Sequence, residues 1–229
     1  MRNKGVRMRN DIERYWHDLG QVARAMPFGL LESAAEVLLA CHRRGGTVFV
    51  LGNGGSAATA SHFVCDLAKG TRTDGLPAFR VVALTDNVPV MTAWANDTSY
   101  DRVFAEQLSA LVRPGDVVVA ISASGNSPNV LAATKVARQL GAATVALTGQ
   151  SGGRLGRLAE LTIRVPTRSV EQVEDAHLAI AHSLCVAIRE RLRATATAAA
   201  VDTLSALEDA VAEPVMLDYS PPAIRSKCG

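Results

Sequence analysis

The 229-residue chain is poor in aromatic side chains, 4% of the total, and has almost no charge imbalance, with 24 Lys and Arg against 22 Asp and Glu. The first shortage argues against a base-stacking surface. The second removes the basic excess expected of a dedicated nucleic-acid binder. No apolar run approaches the roughly 18 residues that a membrane span needs; the stretch at 116–121 is one of the longest. Residues 1–10 are basic, but no apolar signal-peptide core follows them. The four cysteines, Cys41, Cys65, Cys185 and Cys228, lie far apart and form no C-x-x-C pair. A reduced, cytoplasmic protein is the expectation. With 48% hydrophobic and 20% charged residues the chain can bury a real core, which excludes wholesale disorder.

What is present is an alternation of two periods. Over 11–26, apolar residues recur at helical spacing (Ile12, Tyr15, Trp16, Leu19, Val22, Ala23 and Met26) until Pro27 ends the run. A second amphipathic helix spans 30–44, with Leu31, Ala34, Ala35, Leu38 and Leu39 inward and Gly45-Gly46 at its end. Short β-branched runs then predict strands at 47–51, 80–84, 116–121, 143–147 and 161–165. Helices are expected between them at 56–69, 88–96, 101–111 and 128–140, and last at 170–193. Strands separated by helices pair in parallel through right-handed crossovers, so the sheet is covered on both faces. The reading is a single doubly wound α/β domain over 1–193, with two helices in front. Residues 194–229 read as a C-terminal extension. It opens on the low-complexity stretch 194–200, has a short amphipathic helix at 202–213, and is interrupted by Pro214, Pro221 and Pro222. Packing or partial disorder is its expected role.

Two glycine-rich loops each follow a strand and open a helix. The first is G-N-G-G-S at 52–56, and the second is S-A-S-G-N-S at 122–127, followed by Pro128. Ligands of open parallel sheets bind beyond the carboxyl ends of the strands. A helix start there offers free N–H groups and a favourable dipole to an anion. Ser127 suits the N-cap and Pro128 the first helical position. Neither loop is a Walker A or a G-x-G-x-x-G, so no nucleotide cofactor is expected. Two such loops suit a single monophosphate, held by Asn53, Gly54 and Ser56 on one and Ser122, Ser124 and Ser127 on the other.

G-N-G-G-S after a buried strand, A-N-D at 95–97, S-x-S-G-N-S before a helix and A-L-T-G-x-x-G-G at 146–153 together resemble the sugar-isomerase (SIS) domain. Within that superfamily, residues 11–193 are similar to the sedoheptulose 7-phosphate isomerases, also called phosphoheptose isomerases. The resemblance implies a Rossmann-like SIS fold and a homotetramer with active sites between subunits. It also implies aldose–ketose isomerisation of sedoheptulose 7-phosphate through an ene-diolate, within heptose biosynthesis. Such a reaction needs a base and a group that polarises oxygen.

The family's histidine and glutamate four apart match His62 and Asp66, and its glutamine and histidine eight apart match Glu174 and His182. Asp66 and His182 are the expected proton-transfer pair. His62, Asp66, Glu174 and His182 offer an N/O set suited to Zn2+, and Glu174 and Asp97 are expected to approach the sugar. Asp66 is one methylene shorter than the family's glutamate, Glu174 adds a charge where the family has glutamine, and Ala123 replaces a threonine. Positions 174 and 182 lie roughly 12 Å apart along a helix, so a shared ion would need long reach or an irregular helix start. His177 and Cys65 read as structural, Cys65 as a buried thiol. The alternative reading is a non-enzymatic SIS adaptor that binds a replication initiator or senses a sugar phosphate. As read here, such adaptors lack the acid at position 66 and the histidine at 182. Another sugar-phosphate isomerase of the same fold stays open, because the loops read phosphate rather than chain length.

Overall fold

Short runs rich in valine and alanine form the five strands: β1 Thr47–Gly52, β2 Arg80–Ala83, β3 Val117–Ser122, β4 Ala143–Thr148 and β5 Leu161–Arg164. In this computed structural model, which describes residues 2–212 and the side chains of 7–201, they pair in parallel in the order β2-β1-β3-β4-β5. The helices are α1 Arg2–Arg24, α2 Phe28–Arg43, α3 Gly55–Cys65, α4 Val88–Asp97, α5 Val103–Leu111, α6 Pro128–Gln139, α7 Leu155–Leu158 and α8 Val170–Ala212.

Side-chain alternation along β3 divides the core. Val117, Val119 and Ile121 pack with α2, α3 and α8, through residues such as Leu38, Phe63 and Ile188. Val118 and Ala120 pack with α5 and α6, through Phe104, Leu108 and Val130. Each fully buried valine or leucine contributes roughly 1.5–3 kcal/mol, so a charge at Val119 would unseat the first layer. Because β1 leads out to β2 on one side and β3 to β4 on the other, the crossovers diverge between β1 and β3. A crevice opens at the carboxyl ends of these two central strands, and both glycine-rich loops lie there.

Four features depart from the sequence reading. After Cys65 the third helix widens into a π-helical turn, Asp66–Gly70, instead of continuing as α-helix. The single-turn α7 had no legible apolar period. The last helix does not stop near 193 but runs 43 residues to Ala212, about 65 Å at 1.5 Å per residue. The stretch 194–200 is simple in composition, yet alanine is the best helix former, so nothing there stops the helix. Residues 213–229, with Cys228 and the three tail prolines, lie outside the described residues.

The fourth departure is α1, which begins at Arg2 instead of 11. Of its apolar stripe only Val22 is buried, while Met8, Ile12 and Trp16, one turn apart, are exposed at 68%, 55% and 68%. The helix is tied to α8 by the Tyr15 hydroxyl, which donates to Asp175 Oδ2 at 2.5 Å. That bond to a carboxylate pushes the Tyr15 pKa up to about 12. Among the described residues no helix is long and apolar enough to cross a membrane.

Candidate active site

The second loop forms an uncapped cradle. Ser127 occupies the N-cap of α6, but its side chain caps no helix N–H. Its hydroxyl turns instead to that of Ser122, at 3.2 Å. Pro128 has no N–H and the Val130 N–H donates to Asn129 Oδ1 at 2.9 Å, so the Asn129 N–H is the donor that the start of α6 leaves for an anion. Ser124 is exposed, and its Oγ accepts the Asn126 N–H at 3.2 Å. Gly125 turns the loop with φ +64°, and an added Cβ there would lie 2.2 Å from the Gly152 carbonyl oxygen. The β3 and β4 loops are thus interlocked backbone to backbone, with the Leu155 N–H donating to Gly125 O at 2.8 Å.

The first loop is joined to the second by a reciprocal amide pair. Asn53 Nδ2 donates to Asn129 Oδ1 and Asn129 Nδ2 to Asn53 Oδ1, both at 2.9 Å. Asn53 Oδ1 also accepts the Tyr100 hydroxyl at 3.0 Å. Asn53 is therefore committed mainly to the scaffold, with one amide hydrogen left over. Asn129 and Tyr100 were not singled out in the sequence. The one signal for Asn129 is an asparagine on the core-facing side of α6, where it is 1% exposed. Ser56 is buried in the first turn of α3, and Gly54 is its exposed N-cap. Asp97 is exposed at the end of α4, where its Oδ1 accepts Asn96 Nδ2 at 2.9 Å.

Three of the four expected ligand residues converge. His62 Nε2 lies 3.3 Å from Asp66 Oδ2, as their i,i+4 spacing on one helix face requires. His182 Nε2, brought in by α8, lies 3.6 Å from the same oxygen and 2.9 Å from His62 Nε2. Asp66 opens the π-helical turn, which is closed by the Thr71 hydroxyl donating to Leu67 O at 2.7 Å. π-Bulges of this kind recur at functional sites. Donor atoms bound about 2 Å from a tetrahedral zinc stand about 3.3 Å from one another. The three measured edges scatter around that length, so the two imidazoles and the carboxylate fit one face of such an ion. All three side chains remain open, at 49%, 31% and 50% exposure for His62, Asp66 and His182.

Glu174 does not join them. It stands two helical turns before His182, and its carboxylate lies over Gly55, where an added Cβ would be 2.7 Å from Oε2. That is the first turn of α3, a place where the helix dipole favours negative charge. His177 is fully buried, and among the described residues neither ring nitrogen has a hydrogen-bond partner. Burial drives its pKa down to about 4, against a weaker opposing effect of the Thr148 backbone. Cys65 is exposed rather than buried, because it lies on the outer face of α3. Cys185 is buried, and burial together with the nearby Asp66 charge pushes its thiol up to about 12, so it is inert.

A cleft of about 560 Å³ adjoins the cradle, lined by Ala123 and Ser124, by Gly149, Gln150 and Ser151, and by Thr167 and Arg168 with two valines. It is large enough for a small polar ligand.

Residues 16–149 match the SIS domain family. A phosphoheptose isomerase from Mycobacterium tuberculosis is 45% identical over 158 residues, covering 68% of this chain and 80% of that protein. One from Rhodospirillum rubrum is 42% identical over 162 residues, covering 71% and 86%. The structure of the phosphoheptose isomerase from Neisseria gonorrhoeae superimposes with a TM-score of 0.75 at 31% identity, over 80% of this chain and 99% of that one.

Proposed function

Because the chain belongs to the SIS-domain family, in its phosphoheptose isomerase branch, we propose that it is an aldose–ketose isomerase converting sedoheptulose 7-phosphate to an aldoheptose 7-phosphate. The observation that carries this reading is the open His62–Asp66–His182 cluster, anchored on α3, the helix that the first of two loops suited to a monophosphate opens.

The reaction moves a proton from C1 to C2 and needs an ene-diolate stabilised between the two transfers. His182 offers an imidazole nitrogen able to accept and return a proton, so it takes the proton from C1 and returns it at C2. Asp66 holds His62 and His182 in register and acts on the sugar oxygens. The phosphate sits on Ser122, Ser124, Ser127 and the Asn129 N–H at the start of α6, far from the reacting carbons, where its binding energy orients the chain. Asn53, Gly54 and Ser56 complete that wall, and Asp97 and Glu174 face the sugar.

His62, Asp66 and His182 are alternatively the residues that would hold Zn2+, with Glu174 outside the set, and the His182 Nε2 lone pair would then be committed to the ion instead of the C1 proton. A bound ion supplies Lewis-acid polarisation of a substrate oxygen. No nucleotide cofactor is needed, since the proton returns to the same molecule. The further reading is a homotetramer with shared active sites; the exposed Met8, Ile12 and Trp16 stripe, which a second copy would cover, supports self-association.

The test is incubation with sedoheptulose 7-phosphate, with and without added Zn2+, and detection of the aldose. Formation of the aldoheptose phosphate is expected. Absence of product under both conditions would overturn the reading and favour the adaptor alternative.

A further inference from the structure

A phosphate dianion on the second loop meets only neutral donors: serine hydroxyls and backbone N–H groups. Desolvating such an ion without a countercharge is costly. The first loop is no better, because the Glu174 carboxylate already lies over the start of α3 and would repel a second anion. Among the residues lining the 560 Å³ cleft, one is charged: Arg168, in the connection from β5 to α8, facing the same space as Ser124. Its Nε donates to Gln150 Oε1 at 3.3 Å, and Gln150 belongs to the loop interlocked with the cradle. Among the described residues no carboxylate forms an ion pair with Arg168, so both terminal nitrogens are uncommitted. A guanidinium matches phosphate oxygens in a two-pronged fork.

We propose that Arg168 is a substrate-binding residue that supplies the countercharge for the phosphate on the Ser122–Ser127 cradle, steered into place by Gln150. This rests on the isomerase reading for the identity of the sugar but not for the identity of the anion.

The experiment measures kcat and KM for sedoheptulose 7-phosphate, and the affinity for inorganic phosphate by calorimetry, in the parent, R168A and R168K. In R168A, KM should rise and phosphate affinity should fall by about tenfold each, with kcat changed less than about threefold. R168K should recover part of the loss, and weak binding of unphosphorylated sedoheptulose should be the same in all three proteins. An unchanged KM and phosphate affinity in R168A would overturn the assignment, as would an equal loss of affinity for the unphosphorylated sugar. If the parent fails to isomerise the sugar, the functional reading falls, and the phosphate titration by itself decides on Arg168.

Discussion

Nε2 of His62 lies 2.9 Å from Nε2 of His182, 120 positions further along the chain. Two ring nitrogens that close share a proton or a cation, since two bare lone pairs would repel. The carboxylate of Asp66 faces both and separates the two cases experimentally. If it is a metal ligand, Asp66→Asn loses bound metal and activity together, and chelation of the parent reproduces the variant. If it is an acid–base group alone, Asp66→Asn is inactive while chelators are harmless. The fit of the three donor atoms to one face of a tetrahedral ion favours the first outcome, and elemental analysis alongside turnover reads it. Full activity in both Asp66→Asn and His182→Ala would remove the isomerase reading.

Ser124 carries the most exposed hydroxyl of the cradle. Loss of one hydrogen bond to a charged group costs roughly 1.5–3 kcal/mol. Ser124→Ala should weaken substrate binding about tenfold or more while its urea midpoint stays at the parental value. Unaltered binding would mean that the phosphate sits elsewhere.

Asn129 is 1% exposed and holds Asn53 through both halves of its amide. Asn129→Ala strips those partners and frees the Val130 N–H, which now donates to Asn129 Oδ1 at 2.9 Å. Unsatisfied buried groups cost about 1–3 kcal/mol each. Denaturant unfolding should show a loss in that range, and KM should rise because the two loops are no longer fastened to each other.

Most of the fold was legible because strand and helix periods alternate without ambiguity. Val117 to Ile121 could be read as a buried strand and Pro128 as a helix start, and both are. His62 and Asp66 were legible as a pair because four residues on a helix share a face. Glu174 was placed among the ligands on the family match, although helix rise alone sets it about 12 Å from His182. The α1 stripe was legible as an apolar face, yet Ile12 and Trp16 are exposed, since periodicity does not show what covers such a face. Asn129 was missed because its role depends on a contact 76 residues away.

His177 gives stability a pH dependence. Its folded pKa of about 4 lies below the ordinary 6.5, so between those values the unfolded chain takes up a proton that the folded chain refuses. Stability should therefore fall as pH drops from about 6.5 towards 4, by about 2 kcal/mol at pH 5. Urea titrations at pH 7 and pH 5 measure it. His177→Leu should lose this slope, and a parental slope in that variant would refute the assignment.

No residue singled out for chemistry lies beyond 193, although α8 continues to Ala212. A chain ended at Ala200 should keep its turnover number. Loss of activity with the oligomer intact would show that the far end of α8 reaches an active site.

The interlock at Gly125 has an evolutionary corollary. With the Gly152 carbonyl oxygen standing where a Cβ would have to go, Gly125 cannot be replaced without parting two loops. Inherited variation in what the protein accepts is thereby pushed outward to cleft residues such as Ser151 and Val170, whose side chains can change without disturbing that seam. Related chains could then diverge in the sugar they hold while the grip on phosphate stays the same.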